Sequence, residues 1–218
     1  MKIIDLEDKT KEIISGLSKC KSIKNLELLL SKDFLKKGLK DKRKYPSLGY
    51  NIPKAEIERL KHNGWIDINN QLVVDKFSSA STMEKLLFSI IWKRGDLRKI
   101  SKIIDGIEGE NVSNSERITF NKFGEFLLNP ATNIIIDQHV IRAYQLIEFW
   151  NADKIKPNKE LTKIRKKDIL TGKDKELING YKNWIRHNTL VKAEIKQDKK
   201  YLGLMDELLF AFGKIVKL

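Results

Sequence analysis

Residues 134–150 read IIIDQHVIRAYQLIEFW, an apolar run followed by one acidic residue and a longer stretch of mixed polarity. After Asp137 the apolar residues recur three and four positions apart, a spacing typical of an α-helix. An aspartate at a helix start accepts hydrogen bonds from backbone amides that have no partner within the helix. The stretch therefore predicts a helix that begins at the Asp137 carboxylate, and on spacing alone a capping role explains this residue.

Helical periodicity also dominates the rest of the chain, which has only four prolines and twelve glycines. The exception is GWIDINNQLVVDKF at 64–77, which indicates a small β-hairpin turned at Asn69-Asn70. A serine-rich joint, SSAST at 78–82, then leads into another apolar helix. We therefore predict a mainly α, two-lobed domain with a small β-hairpin, the lobes being residues 1–77 and 78–218.

The chain carries 43 Lys and Arg against 29 Asp and Glu, a formal net charge of +14. Such an excess favours a polyanionic partner, although a solvated basic surface in a lysine-rich proteome is the alternative. Neither a long apolar span nor a basic helix with a clean apolar face indicates membrane binding. The single cysteine, Cys20, excludes an internal disulfide, and the charged N-terminus is unlike a secretory signal. We expect a cytoplasmic protein.

Within the stretch 134–150, the residues IDQHVIR at 136–142 resemble a sequence signature of a known enzyme family. The signature is V-D-T-H-V-x-R, and the family is the helix-hairpin-helix base-excision DNA glycosylase superfamily. Residues 84–104, EKLLFSIIWKRGDLRKISKII, are similar to the early core helices of that family. The L-P-G-V-G hairpin of the superfamily is not found at 107–127. The resemblance thus implies a divergent, two-lobed glycosylase-like fold with a degenerate hairpin. Its phosphate contacts would come instead from Ser113, Ser115, Arg117 and Asn121.

The resemblance assigns catalysis to Asp137, which would stabilise the oxocarbenium character of the sugar and orient or deprotonate the attacking water. Lys122 is the candidate Schiff-base lysine. It lies fifteen positions before Asp137, closer than the spacing usual in the family, so a monofunctional hydrolase is favoured over a lyase. No glycine-rich phosphate loop and no metal-spaced His and Cys set is found, so no metal or other cofactor is expected.

DNA binding and base flipping need further side chains. His139 and Arg142, three residues apart on one helix face, are predicted to contact phosphate, with a surface ion pair as the alternative for Arg142. The run KIRKK at 163–167 is predicted to bind the DNA backbone through Lys163, Arg165 and Lys166, or else to form a solvated helix face. Four aromatic residues are candidates for stacking on DNA, with ordinary packing as the alternative for each. Trp92 and Tyr144 are assigned to the base pocket, and Tyr45 and Tyr50 to the basic loop at 40–53.

The leading hypothesis from the sequence is hydrolytic removal of a damaged or modified base from double-stranded DNA, which leaves an abasic site. DNA repair and antiviral defence against modified cytosines in phage DNA are both compatible with it. The alternative is a non-catalytic DNA-binding subunit of a restriction or defence assembly. A third hypothesis, RNA binding, depends on the tyrosines of the basic loop. The oligomeric state stays open, with a monomer favoured.

Overall fold

A computed structural model describes residues 3–41, 48–110, 112–113, 116–151 and 158–217, without the side chains of Ile3 and Ile4. The mainly helical prediction is confirmed. In chain order the helices are α1 (Ile3–Ser18), α2 (Ile23–Leu30), α3 (Asp33–Lys36), α4 (Lys54–His62), α5 (Thr82–Lys93), α6 (Leu97–Glu108), α7 (Thr119–Leu128), α8 (Gln138–Asn151), α9 (Asn158–Arg165), α10 (Lys175–His187), α11 (Ala193–Lys196) and α12 (Tyr201–Ile215). Short 3₁₀ turns cover Val74–Ser79 and Gly172–Asp174.

The chain forms two compact units. Unit 1 contains Met1–Leu48 together with Ile136–Leu218, and unit 2 contains Gly49–Ile135. These bounds differ from those of the predicted lobes, residues 1–77 and 78–218. The difference arises because the N-terminal helices pack against the C-terminal half of the chain, a long-range pairing that local sequence patterns do not reveal.

Helix α8 is the centre of unit 1. It packs against α1, α9, α10 and α12, while α12 also contacts α2 and α3. Apolar side chains emerge from several faces of α8, which is typical of a helix enclosed by others. Its buried residues are Val140, Ile141, Arg142, Ala143, Leu146, Ile147 and Phe149.

The close approach of α12 to α8 depends on Gly213. A Cβ built on this glycine would overlap the carbonyl oxygen of His139, so neither helix could relieve the clash by rotating a side chain. We expect Gly213→Ala to lower the free energy of unfolding by about 1–3 kcal/mol, the usual cost of overpacking. Gly203 lies in the same helix, but a Cβ built on it would meet no packed neighbour within 4 Å.

Gly203→Ala is therefore the matched control for that prediction. It should stabilise the protein by about 0.5–1 kcal/mol, because alanine restricts the unfolded chain and favours helix. Urea denaturation of both variants measures the difference. Equal shifts of the two midpoints would show that α12 does not need a glycine where it meets α8.

In unit 2, α6 packs on α7 and α4. The first contact is close because Cβ atoms on Gly106 and Gly124 would each overlap a backbone carbonyl of the facing helix. The apolar core of this unit is formed by Ile57, Ile66, Ile104 and Ile107. Residues 84–104 were expected to form early core helices. Within them α6 contributes buried residues to a core, whereas α5 has none.

The predicted β-hairpin is reduced to a single antiparallel bridge between Ile66 and Leu72. Its turn does form where expected. The Asp67 carboxylate accepts the amides of Asn69 and Gln71, and Asn70 has a positive φ of 60°, which asparagine tolerates. Pairing ends because the chain enters the 3₁₀ turn Val74–Ser79 directly afterwards.

Candidate active site at the start of the central helix

Asp137 directly precedes α8 and caps it. Its Oδ1 accepts hydrogen bonds from the backbone N–H groups of His139, at 2.7 Å, and Val140, at 3.0 Å. These are two of the amides that a helix leaves without an internal partner. The apolar run before it is anchored by the buried side chains of Ile134 and Ile136. Local sequence therefore fixes the position of the carboxylate.

Capping occupies only one of the two carboxylate oxygens. Among the residues that the structure describes, no hydrogen bond is made to Oδ2 of Asp137, and the side chain is partly exposed. Helix N-termini favour negative charge, since their amide dipoles point toward it. Asp137 therefore combines one carboxylate oxygen that caps the helix with a second oxygen that no described residue engages.

His139 lies on the same face of α8 as Arg142, as the spacing predicts. Its Nδ1 lies 3.0 Å from Nη1 of Arg142. Because a guanidinium group only donates, Nδ1 is the acceptor, and in the neutral ring the hydrogen is on Nε2. Burial lowers the pKa of His139, the charge of Arg142 lowers it further, and Asp137 opposes both effects. These effects favour the neutral form of the imidazole, and the predicted contact of His139 with phosphate stays a prediction.

Arg142 is fully buried. Its Nη1 donates to the carbonyl of Gly213 at 2.6 Å, and its Nη2 donates to the carbonyl of Lys167 at 2.5 Å and to Asp168 at 3.2 Å. Burial lowers the pKa of the guanidinium, and Asp168 and Asp137 partly offset this effect. The side chain joins α8 to the chain after α9 and to α12. This burial argues against the predicted contact of Arg142 with phosphate.

A buried acidic group also belongs to this region. Asp206 on α12 forms an ion pair with Lys40 at 2.8 Å, and its Oδ1 has no hydrogen-bond partner among the described residues. Burial raises the pKa of Asp206, Lys40 opposes that shift, and the negative charge of Asp137 adds to it. Lys40 could not be found from spacing because it lies 166 residues away.

Tyr181 is a neighbour that the sequence did not reveal. It is fully buried on α10, its hydroxyl has no partner among the described residues, and its pKa is raised well above the usual value. Burial is the main cause, and the charges of Asp206 and Asp137 add to it. Two carboxylates and a phenol therefore interact electrostatically around the start of α8. Nothing in the local pattern of α10 distinguishes Tyr181 from an ordinary core aromatic residue.

The two residues assigned to a base pocket lie in different surroundings. Tyr144, on α8, packs against Tyr181 and Trp184 of α10, with ring centroids 5.6 and 5.5 Å apart. Trp92 is 62% exposed on α5 in unit 2. Tyr50 is exposed in unit 2, and Tyr45 lies outside the described residues.

Lys122 belongs to unit 2, whereas Asp137 belongs to unit 1. On α7 the ammonium group of Lys122 forms a close ion pair with Glu125 and is mostly buried. Asn121 is one of the residues expected to contact phosphate in place of the L-P-G-V-G hairpin. It is buried, and its side-chain amide donates to the Glu110 carbonyl at 3.3 Å. Ser115 lies outside the described residues.

The basic run at 163–167 presents two lysines to solvent. Lys163 and Lys166 are exposed, whereas Arg165 is buried and its Nε donates to the carbonyl of Val216 at 2.8 Å. Arg165 is thus a structural link between α9 and the end of α12. Its burial argues against the predicted backbone contact, while the two lysines stay candidates for it.

Comparisons with family models, with curated proteins and with solved structures find no match to this chain. None of the helices within the described ranges has the length and apolar character needed to cross a membrane. In the same part of the chain, no three His, Cys, Asp or Glu side chains come together as metal ligands.

Proposed function

We propose that this protein is a DNA glycosylase that hydrolyses the N-glycosidic bond of a damaged or modified base and leaves an abasic site. The observation that carries the proposal is the division of roles within Asp137, whose Oδ1 caps α8 while Oδ2 is not engaged by the described residues. A capping role and a catalytic role are therefore compatible in one side chain.

In the proposed reaction the C1′–N bond breaks, and its electron pair leaves on the base. Positive charge develops on the sugar, and the Asp137 carboxylate stabilises it electrostatically. Water forms the new C1′–O bond, its proton passes through Asp137 to solvent, and the departing base takes a proton from solvent. In the proposed mechanism the imidazole of His139, whose Nδ1 contacts Arg142, binds the attacking water.

Charge supports DNA as the substrate. The chain carries a formal net charge of +14, and the exposed Lys163 and Lys166 lie in unit 1 with Asp137. Phosphate contacts release counterions, so DNA affinity falls as salt concentration rises. Modified cytosines of phage DNA are one candidate class of target, and damaged bases are the other.

The two lysines yield a prediction about salt dependence. A Lys163→Gln/Lys166→Gln variant should reduce the slope of log affinity against log salt concentration by about 1.8 in magnitude, because each lost phosphate contact removes about 0.9. Fluorescence anisotropy with labelled duplex DNA measures the slope. The control, Lys21→Gln/Lys24→Gln, removes the same charge from exposed positions elsewhere in unit 1. Equal slopes for both double variants would contradict the assignment of Lys163 and Lys166 to phosphate contacts.

The substrate class can be found with a panel of duplexes that contain deaminated, oxidised, alkylated, hydroxymethylated or glucosylated bases, with unmodified DNA as reference. After incubation with protein, hot alkali cleaves the strand at abasic sites. Scission of one modified duplex, but not of unmodified DNA, is the expected result and names the base. Intact strands throughout, with DNA binding retained, would contradict the proposal.

Intact strands with retained DNA binding would favour a non-catalytic DNA-binding subunit. The observation behind this alternative is that capping alone accounts for both hydrogen bonds accepted by Asp137. A binding subunit would keep its DNA affinity when Asp137 is replaced by another capping residue, and it would have no turnover to lose.

A further inference from the structure

Helix α5 exposes a continuous apolar stripe. Met83, Leu86, Leu87 and Ile90 are 64, 56, 54 and 58% exposed, and none of the twelve residues of α5 is buried. Their spacing of three, four and seven positions places all four side chains on one face of the helix. Monomeric soluble proteins rarely expose large contiguous apolar surface, and such surface commonly marks a site of interaction with a protein or a membrane.

The helix is held by its other side. Phe88 stacks on Phe77 with ring centroids 4.2 Å apart, and Phe77 meets Trp65 edge-on at 5.4 Å. Phe88 is off the stripe, since each residue advances about 100° around a helix. At the N-terminus, Ser81 and Glu84 form a capping box. The stripe is therefore presented by a helix that is fixed without it.

We propose that the stripe is the interface of a homodimer in which α5 of one copy packs antiparallel on α5 of a second copy. Its centre lies between Leu86 and Leu87, so a two-fold axis there brings Met83 of each copy to Ile90 of the other. Such a patch is self-complementary, as an isologous interface requires.

The charges of α5 favour the antiparallel arrangement of two copies over the parallel one. The first turn has Glu84 beside Lys85, whereas Lys93 and Arg94 at the other end are both basic. Antiparallel pairing brings the basic end of each helix to Glu84 of its partner and opposes the two helix dipoles. Parallel pairing would instead place four cationic groups side by side.

The size of the stripe sets the expected affinity of the dimer. A helix of twelve residues is about 18 Å long, and a pair of such helices buries on the order of 1,000 Å² in total, at the low end for a specific interface. The dimer should therefore be reversible and dependent on concentration. It does not rest on the glycosylase assignment, since every residue of the stripe is in unit 2 and Asp137 is in unit 1.

Sedimentation velocity over a range of protein concentrations tests the proposal. Wild type should shift from monomer to dimer, and Leu87→Glu should weaken association at least about tenfold, because a carboxylate would be buried unpaired. Trp92→Glu is the matched control. It replaces an apolar side chain of α5 that is 62% exposed on the side opposite the stripe, so this variant should dimerise like wild type.

Cysteine cross-linking tests the antiparallel orientation of the two α5 helices without a substitution that weakens the dimer. Cys20 is buried, so cysteines introduced on α5 are the reactive ones. A mixture of Met83→Cys and Ile90→Cys proteins should form mixed disulfides readily, while Met83→Cys alone should not.

Three results would overturn the proposal. They are a monomeric wild type at every concentration, equal dimerisation of wild type and Leu87→Glu, and efficient cross-linking of Met83→Cys to itself.

Vesicles of phosphatidylglycerol test whether the stripe binds a lipid surface rather than a second copy of the chain. Sedimentation of monomeric protein with them, abolished by Leu87→Glu, would show that the stripe binds a lipid surface instead.

Discussion

An Arg142→Leu variant is expected to lose about 3–5 kcal/mol of unfolding free energy, because buried hydrogen-bond acceptors would lose a charged donor. The carbonyls of Gly213 and Lys167 both accept from this guanidinium. Leucine fills part of the volume and supplies no hydrogen bond. The cost comes from these acceptors rather than from Asp168, which is half exposed and can be solvated.

Urea denaturation followed by circular dichroism measures the loss. Arg186→Leu is the control, since Arg186 is an exposed residue of the same unit and its replacement should change stability by about 0.5 kcal/mol or less. Arg142→Lys should recover little, because an ammonium group cannot reproduce the planar fork that reaches several acceptors. Similar midpoints for Arg142→Leu and Arg186→Leu would contradict a structural role. A loss of DNA affinity without loss of stability would restore Arg142 as a phosphate ligand.

Replacing Asp137 with asparagine should lower the single-turnover rate of base removal by about 10²–10⁴-fold, the usual range for a general base or a charge-stabilising group. Asparagine caps helices about as well as aspartate, so stability should change by only a few tenths of a kcal/mol. DNA affinity should stay close to that of wild type. This combination separates a catalytic carboxylate from a cap.

Two further variants complete that comparison. Asp137→Ala removes the cap as well, and should lose about 1 kcal/mol of stability in addition to turnover. Asp198→Asn is the matched control, because Asp198 also accepts a backbone amide near a helix start, at 2.8 Å from Lys200 N, and should keep full turnover. Normal turnover of Asp137→Asn would leave Asp137 with a capping role alone.

The features that could be predicted from the sequence are local. The capping geometry of Asp137 involves only the next three residues, and the contact between His139 and Arg142 spans one helical turn. Both follow from helix geometry. The turn at Asn69-Asn70 was local as well, but the extent of pairing was overestimated because the segment after Leu72 forms a 3₁₀ turn.

The features that could not be predicted are set by long-range packing. Arg142 finds its acceptors 71 and 25 residues away, and Asp206 finds Lys40 from 166 residues away. A charged residue in a basic chain is expected at the surface, so its burial gives no local signal. The same holds for α5, whose apolar stripe indicates a helix but not whether the rest of the chain covers it.

The most direct test of the central claim is the release of free base, measured by mass spectrometry, from the duplex that alkali cleavage identifies. The proposed function predicts one intact free base for each abasic site formed by wild type, and none above background with Asp137→Asn. Strand cleavage that releases nucleotides without free base, or equal base release by both proteins, would contradict glycosylase chemistry at Asp137.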